Sequence, residues 1–172
     1  MRRIVVVGTS GSGKSYLASR LATALGLPFI DLDDLFWKPG WEARSKEEFS
    51  ALVAKAASGR AWVIAGNQTK IRELIWPRAD LVIWLDLPLY LLLFRALKRG
   101  LQQIWSGEEI CGGNRESLSR LFGPKSILIW IMKTYFRRRR IYLPLFTEEK
   151  MVRLTSSKEI PALISRLTAL AQ

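Results

Sequence analysis

Apolar positions along this chain follow two alternating periods. "RIVVV" (3–7) is a short β-branched run and predicts a buried strand. "KSYLASRLATAL" (14–25) carries Leu17, Leu21 and Leu25 at i, i+4 and i+8, the spacing of an amphipathic helix that Gly26 ends. "PFID" (28–31) reads as a second strand. "SKEEFSALVAKAAS" (45–58) opens with a capping box, Ser45 with Glu48 three residues on, and Gly59 closes the helix. "AWVIA" (61–65) is a third strand, "TKIRELIW" (69–76) a short helix stopped by Pro77, and "DLVIWLD" (80–86) a fourth strand followed by a helix over about 88–104. From about 105 to 145 glycine and proline punctuate the pattern, before a helix of about 17 residues that ends in four arginines, 137–140. "MVRLT" (151–155) and "SKEIPALISRLTALA" (157–171) read as a last strand and helix. Strand–helix alternation implies a parallel sheet with helices on both faces, an α/β fold in three layers. With 172 residues, no internal repeat and no long linker, a single domain is expected.

Composition narrows the picture. The chain is 49% hydrophobic and 24% charged, which is globular. Its formal charge of +12 points to anionic partners: nucleotides, phosphorylated metabolites, nucleic acid or an acidic membrane. Charge alone does not choose among them. Cys111 is the single cysteine and there is no histidine, so neither an intramolecular disulfide nor a Cys/His zinc site is available. Arg2 and Arg3 precede only four apolar residues before the glycines, which is not a signal-peptide pattern, and a cytoplasmic location is expected. "LVIWLDLPLYLLLF" (81–94) and "ILIWIMKTYF" (127–136) fall short of the ~20 apolar residues of a bilayer span. Both are read as core, together with Trp76, Trp84, Trp105 and Trp130. A peripheral membrane role for the second stretch, with its arginine tail, is the alternative.

The chemistry starts at Gly8-Thr9-Ser10-Gly11-Ser12-Gly13-Lys14-Ser15, which matches G-x-x-x-x-G-K-[ST]. An apolar strand precedes it and an amphipathic helix follows, the context this phosphate-binding loop needs. Glycines 8, 11 and 13 let the backbone turn with no Cβ in the way. The amides then form an anion nest, and the helix N-terminus adds its positive dipole end. Lys14 is expected on the β- and γ-phosphates and the Ser15 hydroxyl on Mg²⁺. ATP and Mg²⁺ are therefore the expected cofactors.

Such a kinase also needs a carboxylate near the metal, usually at the end of the strand beside the loop strand. Here the third strand ends in Ala65. The second ends "FIDLDD", where Asp31 and Asp33 can share the carboxyl edge of the sheet, the edge at which α/β folds bind ligands. Asp31 is assigned to the metal's water shell, or else is a plain strand-end cap. Asp33 is assigned to orienting or deprotonating the acceptor hydroxyl. Asp34 shares that role or is a solvated loop carboxylate. Asp86, before Leu87-Pro88, is read as a helix cap.

These residues resemble the adenylate-kinase-related P-loop kinases. The closest resemblance is to small bacterial proteins often labelled "DNA topology modulation". It runs through "GTSGSGKS", "LDDLFW" (32–37), "AGNQTKIRELIWPRAD" (65–80), "VIWLDLP" (82–88), "GGNRES" (112–117) and the arginine run. It implies a five-stranded parallel sheet in order 2-3-1-4-5, an acceptor-side segment at about 31–60 and a mobile helical lid at about 95–145. Ala65 and Gln68 depart from that group, which usually has an acidic and an aromatic residue there. Shikimate kinases also lack the acidic strand end and use a D-x-D after strand 2, as "FIDLD" does. Gluconate kinases are similar and carry basic residues where this chain has Lys70 and Arg72. The departure moves the expected acceptor towards a small hydroxylated metabolite, with a nucleoside monophosphate as the other class.

The resemblance matches Arg95 and Arg99, four apart on one helix face, to the first lid arginines, and one of them is expected at the γ-phosphate. Of Arg137–Arg140 at most two can face the site, and Arg137 is taken as catalytic. The alternatives are a solvated helix face for the first pair, and a solvated helix end or nucleic-acid patch for the run. Substrate contacts are assigned to Asn67, Arg72 and Arg115, with Trp37 and Trp41 walling the acceptor by stacking or simply covering the core. Asn114 is the cap of the next helix on the alternative reading of "GGNRES". The expected activity is transfer of the γ-phosphate of ATP to a small acceptor. The rival is a nucleotide-binding regulator or nucleic-acid-associated ATPase that uses the same fold. No helix-turn-helix, zinc or β-ribbon signature supports direct DNA reading, and no N-K-x-D motif supports a GTPase.

Overall fold

The computed structural model describes residues 2–146 and 149–170, with Lys70 described by its backbone alone. In chain order the strands are β1 (Arg3–Gly8), β2 (Phe29–Asp31), β3 (Trp37–Lys38), β4 (Glu42–Ala43), β5 (Trp62–Ala65), β6 (Leu81–Leu85) and β7 (Met151–Leu154). The helices are α1 (Lys14–Leu25), α2 (Leu32–Phe36), α3 (Lys46–Ala56), α4 (Thr69–Ile75), α5 (Leu89–Ser106), α6 (Leu118–Phe122), α7 (Ile127–Tyr142) and α8 (Ile160–Ala169). Five strands form one sheet in order β2-β5-β1-β6-β7, and all four of its pairings are parallel. With the small antiparallel β3–β4 hairpin set aside, this is the expected 2-3-1-4-5.

The sheet forms because its strands are apolar on both sides. Ile4 and Val6 face one layer with Leu17, Leu21, Leu163 and Leu167 of α1 and α8. Val5 and Val7 face the other with Phe49, Val53, Ile71 and Ile75 of α3 and α4. A parallel sheet covered on both faces needs this unbroken apolarity. Each fully buried Leu or Ile contributes roughly 1.5–3 kcal/mol relative to exposure. A third cluster, with Leu87, Leu92, Ala96, Ile131 and Tyr135, joins α5 to α7 beside the sheet.

The capping box of α3 is present, with both Ser45–Glu48 bonds at 3.1 Å. Three expectations change. Asp33 and Asp34 lie in the first turn of α2, not on a loop, because Asp31 caps that short helix by accepting from the Asp33 amide at 3.0 Å. Trp105 is 92% exposed and Trp130 48% exposed, so neither is core, whereas Trp76 and Trp84 are buried. Tyr90, Phe94, Met132 and Phe136 are exposed as well. The two long apolar stretches therefore bury only one side of α5 and of α7. Periodicity could not show this, since runs apolar all round do not say which face lacks a neighbour. Among the described residues no helix is long and apolar enough to cross a membrane.

Candidate active site

β1 runs straight into the phosphate loop and α1 leaves it. Between them Ser12 N–H donates to Thr9 O at 3.0 Å, and Gly13 takes the N-cap position of α1. Gly11 has φ +82°, and a Cβ there would lie 2.6 Å from Leu92 O of α5, so both its conformation and its crowding demand glycine. Ser12 Oγ is buried with no hydrogen-bond partner, an orphaned donor of the kind a bound phosphate satisfies. Lys14 is buried to 9% exposure, and its ammonium lies 3.4 Å from Asp33 Oδ2.

Asn67 holds this loop from behind. Its Oδ1 accepts from Gly8 N–H at 3.1 Å and its Nδ2 donates to Gly8 O at 2.6 Å. Tyr142 OH of α7 donates to the same Oδ1 at 3.3 Å. The residue assigned to substrate thus has its amide engaged on the loop backbone, a contact 59 positions apart in sequence that no local pattern could reveal.

The carboxylates gather on the neighbouring strands. Asp31 ends β2 in register with Ala65 of β5, which pairs with Val6 of β1. The strand that ends in an acidic residue is therefore one strand further from the loop strand. Burial, then the charges of Asp31 and Asp33, hold the Asp34 carboxyl above its ordinary value. The sign is destabilising: above the raised pKa the charged form favours the unfolded chain, and below the ordinary value the difference vanishes. Asp34→Asn should therefore raise Tm slightly at pH 7 and leave it unchanged below about pH 3.8, as a pair of thermal melts would show. The turn at 110–114 approaches the same cluster. Burial, with the charges of Asp33, Asp34 and Asp31, pushes the Cys111 thiol up to about 11, which leaves it unreactive at neutral pH. The charge of Arg99, which is exposed, opposes that rise.

That turn is pinned rather than loose. Asn114 is buried, accepts from Trp41 N–H at 2.7 Å, and donates to Lys38 O at 2.9 Å and Cys111 O at 2.6 Å. It is not the cap of α6, which is Ser117. Gly112 (φ +79°) passes so close to the hairpin that a Cβ would sit 2.7 Å from Trp37 O. Trp41 stacks under the Arg120 guanidinium at 4.1 Å and meets Trp37 edge-on at 5.6 Å. Arg115 is exposed and paired with Glu109 at 3.1 Å.

The arginines divide by what they touch. Arg95 donates to Ser157 Oγ at 3.1 Å, in a cavity of about 580 Å³ lined also by Ser12, Gly13, Tyr16 and Arg20. It therefore lies on the α1–α8 side of the loop. A second cavity of about 440 Å³ opens on the other side, beside Leu32, Gly66 and Asn67. Arg72, which stacks on Trp76 at 5.4 Å, lines it together with Arg137 and Arg138. Trp37 and Trp41 are not among its lining residues, and the Lys70 side chain lies outside the described residues. Arg139 turns away and meets Asp86 Oδ1 at 3.1 Å. Arg153 takes the other oxygen of Asp86, at 2.9 Å from Nε and 2.5 Å from Nη2. Asp86 is therefore no helix cap. Pro88 holds the N-cap position of α5 with no side-chain bond, and the buried carboxylate ties α7 to β7.

Mg²⁺ fits this donor set. It keeps several waters and takes one or two protein oxygens beside phosphate oxygens. Ser15 and Asp31 offer such oxygens, and no group of three acidic, histidine or cysteine residues forms an all-protein cage among the described residues.

No family model matches the chain. The shikimate kinase of Symbiobacterium thermophilum is 37% identical over 117 residues, covering 58% of this chain and 66% of that protein. The chloroplastic shikimate kinase 2 of Oryza sativa subsp. japonica is 35% identical over 103 residues, covering 51% of this chain and 34% of that protein. The chain thus spans less than two thirds of the length of these relatives. Among solved structures, shikimate kinase from Acinetobacter baumannii in complex with shikimate superposes with a TM-score of 0.63 at 19% identity, over 99% of this chain and 92% of that one. A gluconokinase from Sinorhizobium meliloti 1021 superposes with a TM-score of 0.56 at 22% identity, over 98% and 94%. The chain is therefore shikimate/gluconate-kinase-like: it shares the P-loop kinase fold of those proteins over nearly its whole length and is similar in sequence to shikimate kinases over about half of it.

Proposed function

We propose that this protein is a Mg-ATP-dependent kinase that transfers the γ-phosphate of ATP to a small acceptor, a nucleoside monophosphate or a small hydroxylated metabolite. The observation that carries this reading is the 3.4 Å approach of Asp33 to Lys14, which brings a candidate base to the lysine of the phosphate loop. The relatives named above, shikimate kinases and a gluconokinase, agree with it.

In this reading Gly8–Ser15 and Lys14 hold the triphosphate, and the Ser12 hydroxyl gains a partner. Ser15 and Asp31 would hold Mg²⁺, which when bound would neutralise charge on the phosphates. The acceptor oxygen bonds to the γ-phosphorus as the bond to the β–γ bridging oxygen breaks. ADP leaves, and Asp33 takes the acceptor's proton. Arginines spread around the transferring group stabilise its equatorial oxygens. Arg95, Arg99 and Arg137 are assigned that role; the support is that Arg137 lines the cavity beside Asn67 and Arg95 the one beside Ser12 and Gly13. Residues 31–60 form the acceptor side and 95–145 the lid, whose closure would exclude water. The cytoplasm, with its ATP, is the compartment this activity needs.

The test is ADP formation from Mg-ATP against nucleoside monophosphates, hydroxy acids and sugars. Asp33→Asn should lower kcat with the best acceptor by about 10²–10⁴-fold while ATP binding persists. An unchanged kcat would remove Asp33 from the chemistry.

The charge of +12 and the motif resemblance to the "DNA topology modulation" proteins favour a second reading, a nucleic-acid-associated ATPase or regulator. DNA-stimulated ATP hydrolysis at physiological salt would support it. Binding that disappears steeply with salt and leaves hydrolysis unchanged would mean phosphate contacts alone.

A further inference from the structure

The cavity beside Asn67 is basic to a degree that a singly charged acceptor does not require. Its lining holds Arg44, Lys46, Arg72, Arg137 and Arg138, and no aspartate or glutamate. The lining is also apolar in part, with Val5, Val7, Phe36, Phe49 and Ile75. Neighbouring arginines show how this fold treats a cation it keeps for structure. Arg139, the next residue on α7, is neutralised by Asp86, and Arg3 is neutralised by Asp80 at 2.9 Å. Arg72, Arg137 and Arg138 have no carboxylate partner among the described residues. Arg44 spends only its Nε, on Leu35 O at 3.0 Å. Arg138 is half-buried, and its Nη1 is buried with no hydrogen-bond partner.

Desolvating an unpaired guanidinium is costly unless an anion completes it. Burial pushes the Arg138 pKa down and Arg137 adds to the fall, while Tyr142 and, less strongly, Asp33 oppose it. The cavity adjoins the phosphate loop through Asn67, which lines it and bonds the Gly8 backbone. One carboxylate carries a single charge and takes at most two guanidinium forks, as Asp86 does with Arg139 and Arg153. A phosphate monoester, with about two charges and three acceptor oxygens, can engage two or three.

We propose that the acceptor-side cavity is built for a phosphorylated small molecule, its phosphate held by Arg72, Arg137 and Arg138 and its organic part set against the apolar part of the lining. The proposal rests on the kinase reading above only in naming this cavity the acceptor side. It separates this chain from relatives named for shikimate and gluconate, whose names describe monocarboxylates.

Trp76 and Trp130 line the cavity and report on it. Tryptophan fluorescence would be titrated without ATP, using inorganic phosphate, ribose 5-phosphate, AMP, shikimate and gluconate. Wild type, Lys14→Ala, Arg138→Ala, Arg138→Lys and Arg72→Ala would be compared, with circular dichroism confirming the fold of each. The expected result is phosphate monoesters bound at least about tenfold tighter than the monocarboxylates, since each 1.4 kcal/mol is tenfold. That binding should weaken by about tenfold or more in Arg138→Ala and Arg72→Ala, recover partly in Arg138→Lys, and persist in Lys14→Ala. Equal or tighter binding of the monocarboxylates would overturn the proposal. So would phosphate binding lost only in Lys14→Ala, which would place the anion on the phosphate loop. Should Arg138→Ala not fold, Arg72→Ala on the separate helix α4 decides. The kinase reading is judged apart, by whether any acceptor supports ADP formation that Lys14→Ala removes.

Discussion

Lys14→Ala should lower acceptor-dependent ADP formation by about 10²–10³-fold, the loss typical of removing one preorganised donor from a site of developing charge. The reason lies in its position. Lys14 is almost wholly buried at the start of α1, so its charge acts in a poorly screened environment. Its ammonium lies 3.4 Å from Asp33, so the substitution removes the group that would bridge the γ-phosphate and the acceptor's base. ATP affinity should fall as well, because the interaction is made before and during transfer. Lys14→Arg should not restore the rate, since a planar fork does not occupy the space of a compact ammonium. Turnover with the best acceptor, alongside ATP binding by calorimetry, measures both effects. Equal turnover in wild type and Lys14→Ala would sink the kinase reading.

Asp86→Ala should cost about 3 kcal/mol of stability, the lower end of the range for removing one partner of a buried ion pair. The carboxylate side chain is 2% exposed, but Arg139 and Arg153 are 37% and 34% exposed, so water recovers part of the loss. At about 2–4 °C per kcal/mol for a domain of this size, Tm should fall by roughly 6–12 °C. Arg153→Met should cost less, because the remaining Asp86–Arg139 pair still neutralises the carboxylate. Urea unfolding of these variants provides the measurement, and a loss below about 1 kcal/mol for Asp86→Ala would assign the triad no net role in stability. Asp31→Asn should show the opposite profile, with Mg²⁺-dependent activity damaged far more than by Asp86→Asn and the fold largely unaffected. Similar activity losses in both would reject the assignment of Asp31 to the metal.

The contrast between these two aspartates shows how far the chain could be read without its structure. Both end apolar strands, and both precede a helix. The position of Asp31 at the strand end was legible because it closes a short apolar run, and the cap it makes, on the Asp33 amide, is only two residues away. Asp86 could not, because its partners stand 53 and 67 positions away, on α7 and β7. The same holds for Asn67 and Gly8, and for Asn114, which bridges the hairpin at 37–43 and its own turn. Trp105 and Trp130 were misplaced for a related reason. An apolar residue reports its preference for burial, but whether a neighbour covers it is settled by packing.

What the sequence determined by itself is local or periodic in origin. β-branched runs set the strands, leucines at i, i+4 and i+8 set α1, the Ser45–Glu48 box starts α3, and the glycines of residues 8–13 shape the phosphate loop. Their alternation then prescribes a parallel sheet with covered faces. The tertiary structure alone decided which side chains share a volume. It set Arg137 and Arg138 against the cavity beside Asn67 while one further step along the same helix, about 100°, gave Arg139 to Asp86. Four identical residues in a row carry identical sequence information. They acquire different surroundings only because a helix points them in different directions and the fold supplies a carboxylate to one of those directions.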